Sequence, residues 1–119
     1  MTIEIYTKSI DSFTGVTIAA NGTSDPYTLD LTPYQPDGFM SLQFVMTGTG
    51  TARIYYTSSN DNVTYVAAEG VSDIITAMVG AGEKFIPINP IFSKYMRIYV
   101  TETGGANSIT IGKAILSIQ

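Results

Sequence analysis

Cysteine, histidine and tryptophan are all missing from this 119-residue chain. Without cysteine there is no disulfide framework and no thiolate metal site, and the redox compartment leaves no trace in the sequence. The lack of both histidine and cysteine excludes the common zinc centres and removes the usual base of a nucleophilic triad. Charge is scarce as well. Asp, Glu, Lys and Arg make up 13% of residues, against about 25% in ordinary globular proteins. Six basic residues against ten acidic ones, for a net charge of -4, argue against a nucleic-acid partner, which needs clustered cations, and against an anionic membrane surface. No apolar run reaches the roughly 18 residues of a membrane-spanning helix. The first residues, Met1 to Ile5, lack the basic region and apolar stretch of a signal peptide, so the chain reads as structural from its start. No Gly-rich loop carries the Lys and Ser/Thr of a phosphate cradle, and no cofactor motif is present.

Ser, Thr, Gly and Tyr fill the space that charge leaves, beside an apolar fraction of 45%. A neutral polar surface costs little to desolvate and favours large protein contacts; β-sheets also simply favour Thr and Tyr. The hydrophobic pattern is one of alternation. Residues 2–7, 16–20, 27–31, 41–46, 52–58, 63–67, 84–88, 95–101 and 108–118 read as nine short strands spaced by about ten residues. Turn signals separate them: Asn21-Gly22, the Pro- and Gly-bearing stretch 32–38, Gly48 with Gly50, Ser59-Asn60-Asp61-Asn62, and Gly104-Gly105. Residues 47–51 predict a tight hairpin. Residues 72–79 fit either a helical turn or a strand. Pro87 and Pro90 place 84–88 at a sheet edge, and the phase change around Gly112-Lys113 predicts a bulge. The expected fold is all-β, a two-sheet antiparallel β-sandwich of jelly-roll type, with one domain over residues 1–119.

One tripeptide occurs twice, Arg53-Ile54-Tyr55 and Arg97-Ile98-Tyr99. Side chains alternate faces along a strand, so each copy buries its isoleucine and displays its arginine and tyrosine. Arg53, Tyr55, Arg97 and Tyr99 are therefore the candidate protein-contact residues. On neighbouring strands they form a ladder of cations and aromatic rings. Three readings are open: cross-strand stabilisation, an interface hot spot and an aromatic platform for sugar. The carboxylates, several in turns, form no motif for catalysis. Asn60, Asp61 and Asn62, with Asp73 or Glu69 nearby, raise calcium, but the alternating calcium-loop pattern is absent and turn stabilisation explains them. The glycosylation patterns at Asn21 and Asn62 lack a secretory context. No catalytic, cofactor-binding or metal-binding residue is assigned.

Two resemblances follow from particular residues. The run Ile54 to Tyr65, with the later Tyr95-Met96-Arg97-Ile98, resembles the discoidin pattern, in which a strand ends in a Ser-x-Asp turn before an aromatic. That resemblance implies a jelly-roll sandwich whose loops bind glycans or lipids. It departs from the family at Asn62 (usually Gly), at Tyr65 (usually Trp) and in lacking the disulfide. The whole chain resembles small head decoration, or cement, proteins of tailed bacteriophages. The features are its Cys-free Thr/Gly/Ser-rich composition, the hairpin Tyr56 to Asp61, the Phe85-x-Pro87 segment, and the run Tyr95 to Gly105 before a final apolar strand. This implies a non-enzymatic virion protein on the capsid surface, synthesised in the host cytoplasm. Its partners would be the major capsid protein or other virion proteins, with homo-oligomers, commonly trimers, and no nucleic acid or membrane. A carbohydrate-binding module of a tail or fibre is the alternative.

Overall fold

Alternation of buried and half-buried residues runs along the long strands, and it decides which side of each strand joins the core. In the computed structural model the described residues are 6–33, 40–67, 73–88 and 93–118. They form ten strands: β1 (Tyr6–Ser9), β2 (Thr17–Ile18), β3 (Tyr27–Asp30), β4 (Met40–Gly48), β5 (Thr51–Ser59), β6 (Val66–Ala67), β7 (Asp73–Val79), β8 (Gly82–Ile88), β9 (Tyr95–Glu102) and β10 (Ile109–Ile118). The expected first strand over 2–7 falls partly outside the described residues, and the described part of β1 begins at Tyr6. The expected irregular stretch 32–38 also falls mostly outside them. The ambiguous segment 72–79 is a strand from Asp73 onward, where β-branched Ile74, Ile75 and Thr76 suit the pleat.

Two five-stranded antiparallel sheets result. One has the order β1-β10-β4-β8, with β2 also on β10; the other runs β3-β9-β5-β6, with β7 also on β5. With the two-residue strands β2 and β6 set aside, the nested pairs are β1 with β10, β3 with β9, β4 with β8 and β5 with β7, and the pairings of β4 with β10 and of β5 with β9 join them into the two sheets. A chain folded once at its middle and wrapped around a core makes this set of pairs, which is the jelly roll. Residues 47–51 are therefore not a hairpin. They carry the chain from one sheet to the other, since β4 pairs with β10 and β8 while β5 pairs with β9, β6 and β7. Gly48 makes the crossing possible with φ at 100°, and a Cβ there would lie 2.7 Å from the Ser108 carbonyl oxygen.

The core is one cluster between the sheets. Leu42, Phe44, Met46, Ile111, Ala114 and Leu116 from one sheet meet Ala52, Ile54, Tyr56, Met96, Ile98 and Val100 from the other. Each large apolar side chain buried this way contributes about 1.5–3 kcal/mol relative to exposure. The bulge predicted near Gly112 is present, as a register shift between Ile111 and Lys113 against β4. It does more than change phase. The extra residue lets Ile109 and Ile111 before it and Ala114, Leu116 and Ile118 after it all face the same core.

At one end of the sandwich a single carboxylate ties three loops together. Glu102 is 2% exposed. Its Oε2 accepts N–H bonds from Thr51 and Gly104, both at 2.8 Å, and its Oε1 accepts from Gly105 at 2.7 Å and Asn21 at 3.1 Å. These bonds, that from Thr51 first, hold its pKa at about 2.

Candidate protein-contact site

β5 and β9 are direct neighbours, and their register brings the two arginine–tyrosine tripeptides onto one outer face. Ala52, Ile54 and Tyr56 on β5, and Met96, Ile98 and Val100 on β9, are buried, while the residues between them are half-buried. Tyr55 pairs with Tyr99, Arg53 with Thr101 and Arg97 with Thr57. All four candidates thus share a face, as the alternation requires.

The contacts on that face are specific. The Tyr55 and Tyr99 rings stack with centroids 5.0 Å apart and planes at 11°. The Arg53 guanidinium lies 4.5 Å from the Tyr55 centroid. Its Nε and Nη2 both donate to Asp73 Oδ1 on β7, at 2.9 and 2.7 Å. Arg97 does not continue the ladder onto Tyr99. Its guanidinium sits 3.9 Å from the ring centroid of Tyr65, in the loop before β6, and its Nε donates to Thr28 Oγ1 on β3 at 3.2 Å. Burial pushes the Tyr65 phenol above its usual pKa, with Arg97 pulling the other way, and its hydroxyl donates to Asn62.

Asp73 and Tyr65 are thus part of the site, although the tripeptide motif does not point to them. Asp73 opens a strand whose pairing partner the sequence does not specify, and Tyr65 arrives on a loop. The electrostatics are uneven. Arg53 is neutralised by Asp73, the one ion pair among the described residues, while Arg97 rests on an aromatic ring and a threonine. The assembly is a mostly neutral platform: two stacked rings between two guanidiniums, one of which forms no ion pair among the described residues.

The loop that carries Tyr65 is held by its own side chains. Asp61 Oδ1 accepts from the Ser59 hydroxyl at 2.8 Å and from the Val63 and Thr64 N–H groups at 2.9 Å each. The bond from Thr64 first, then that from Val63, lowers the Asp61 pKa to about 2. Asn62 takes φ of 60°, and the Asn60 side-chain Oδ1 accepts from Lys94 N–H at 3.1 Å. The acidic turn is therefore explained by backbone capping. Among the described residues no three His, Cys, Asp or Glu gather into a metal cage; Glu69 lies outside them. Beside the turn is an open depression of about 330 Å³ lined by Ser58, Asn60, Asp61, Thr64, Val66 and Ser93. Among the described residues no helix is long and apolar enough to cross a membrane.

No protein-family model matches the chain, and no curated protein does. Solved structures do. A chain of the T13 infectious bursal disease virus particle aligns with a TM-score of 0.58 at 9% identity, covering 97% of this chain and 30% of that one. The VP2 subviral particle of the same virus aligns at 0.55 and 9% identity, covering 97% and 32%. The CBM36-1 domain of a multidomain xylanase, from the hindgut metagenome of Trinervitermes trinervoides, aligns at 0.53 and 11% identity, covering 98% and 97%. The chain thus spans about a third of the length of the viral chains and nearly all of the xylanase's binding domain. At these identities the shared property is the fold, a small all-β sandwich that viral capsid proteins and a carbohydrate-binding module both use.

Proposed function

We propose that this protein is a non-enzymatic structural module of a virion, one that decorates and stabilises a bacteriophage head by binding its capsid proteins. The observation that carries the reading is the platform on β5 and β9. Its stacked tyrosines and flanking arginines are the residue types most enriched where proteins grip partners, and they are already ordered before any partner arrives, which lowers the entropy cost of binding. The capsid-like sandwich and the phage decoration resemblance support the same reading. Individual contacts of this size are weak, but many copies on a symmetric lattice add through effective concentration.

The test is immunogold electron microscopy of particles carrying this gene, with variants at the platform. Label over the head is expected, and Tyr99→Ala and Arg97→Ala should each reduce retention by tenfold or more, as hot-spot truncations costing about 2 kcal/mol do. Labelling on the tail would move the protein within the virion. Absence from particles would overturn the reading.

One observation favours a second reading, a carbohydrate-binding module of a tail or fibre: the open depression beside Asp61, on a fold shared with a xylanase's binding domain. The tyrosine platform does not serve that reading well, because stacking covers one face of each ring. Binding on a glycan array that is lost in Asn60→Ala but kept in Tyr99→Ala would support it.

A further inference from the structure

The other sheet also turns one side to solvent, and its register arranges that side in a self-complementary pattern. Directly paired residues on adjacent strands share a face. Lys113 on β10, Val45 on β4 and Glu83 on β8 are successive partners, and so are Ile115, Gln43 and Phe85 in the neighbouring outward row. Leu42, Phe44 and Met46, which alternate with Gln43 and Val45, are buried, so both rows point out. Phe85 is 69% exposed. Lys113 and Glu83 are exposed and form no ion pair among the described residues, since β10 and β8 lie on opposite sides of β4, about 10 Å apart.

We propose that this face is the docking site for a second copy of the chain, packed sheet to sheet about a two-fold axis running along β4. Such an axis exchanges β8 with β10 and keeps position along the strands. Lys113 then meets Glu83 of the second copy, and Glu83 meets its Lys113. Phe85 falls on Ile115 of the second copy, twice, and the two Gln43 amides face each other, each with a donor and an acceptor. An axis across the strands would instead set β8 on β8 and leave both charges without opposite partners. Charge complementarity therefore selects both the occupant and the axis, as an isologous contact requires.

The dimensions fit. Sheets pack about 10 Å apart, within reach of a lysine and a glutamate extended toward each other. Strands of seven to nine residues in β8 and β4, with β8, β4 and β10 overlapping the same three strands of the second copy, give a footprint of roughly 400 Å² per copy. That is the size of a weak, transient contact and suits a dimer that forms toward millimolar concentration. This inference is independent of the arginine–tyrosine platform, which lies on the opposite sheet.

The test is sedimentation equilibrium of the purified full chain from micromolar to millimolar concentration. The unmodified protein should pass from one protomer to two. Glu83→Lys and Lys113→Glu each set like charges together at two symmetric contacts and should weaken the dimer by about a hundredfold or more; the double reversal should restore it. All three changes are at exposed positions, and circular dichroism checks that folding is unchanged. A single protomer throughout, a trimer, a dimer indifferent to the single reversals, or failure of the double reversal to rescue would each overturn the proposal. A dimer lost in Tyr99→Ala but kept in Glu83→Lys would overturn it too, by moving the contact to the other sheet.

Discussion

Glu102 is the residue on which most backbone depends. Four N–H groups from three separate loops converge on its two oxygens, and a buried donor that loses its acceptor incurs a full desolvation cost. Glu102→Gln keeps the shape but offers one acceptor oxygen in place of two, so thermal unfolding should occur several degrees lower. The pH dependence has a definite sign. Its folded pKa is about 2, below the ordinary 4.5, and Asp61 falls from 3.8 to about 2 in the same direction. Groups lowered in this way add stability that is fully present above the unfolded values and is lost as pH falls through the folded ones. Urea midpoints should therefore be flat above about pH 5 and fall steadily toward pH 2. A flat profile across that window would refute the carboxylate's role. Tyr56 is the opposite case. Its ring is buried in the core, 2% exposed, and its hydroxyl has no hydrogen-bond partner among the described residues. Tyr56→Phe should leave stability unchanged or raise it by about 1 kcal/mol, read from the same urea curves.

Elements are joined here by features that small changes can break. The crossing between sheets rests on Gly48, with its left-handed φ and the Ser108 carbonyl oxygen close by. Gly48→Ala combines strain and a backbone clash and should cost about 1–3 kcal/mol in chemical denaturation. The sheet edges are blunted in different ways. β7 carries two register irregularities against β5, and β8 carries Pro87; both devices discourage unspecific strand addition. That protection leaves sheet faces, rather than edges, as the surfaces available for specific contact. The Arg53–Asp73 pair on one such face is about a third exposed. Asp73→Asn should therefore change stability by less than about 1 kcal/mol, so any larger effect on particle retention would come from the platform itself.

At the scale of the molecule, the pairing of β1 with β10 and of β3 with β9 brings together residues from opposite ends of the chain. Loop-closure entropy must be overcome before these contacts form, so stopped-flow refolding should fall in the millisecond-to-second range of β-sandwiches. Folding in microseconds would be incompatible with this wrapping. The two broad faces differ in kind: one presents stacked rings and guanidiniums, the other a neutral surface bracketed by Lys113 and Glu83. On the two proposals made above, a partner and a second copy would engage opposite sheets at once, which suits a repeated structural role.

Periodicity of two was readable in the sequence because a strand's side chains have to alternate between core and solvent. It determined the all-β class, the inward isoleucines of both tripeptides, the outward set of Arg53, Tyr55, Arg97 and Tyr99 and the bulge at Gly112, while Pro87 and Pro90 marked the edge position of β8. Pairing between distant strands is a different kind of information. Two strands with suitable faces can join many ways, and the choice is made by the collective packing of the core rather than by local residues. Only the tertiary structure could turn residues 47–51 into a crossing, stack Tyr55 on Tyr99, send Arg97 to Tyr65 and Arg53 to Asp73, and gather three loops on Glu102. Apart from the short reach of Glu102 to Gly104 and Gly105, those contacts join segments far apart in sequence, so no local pattern encodes them.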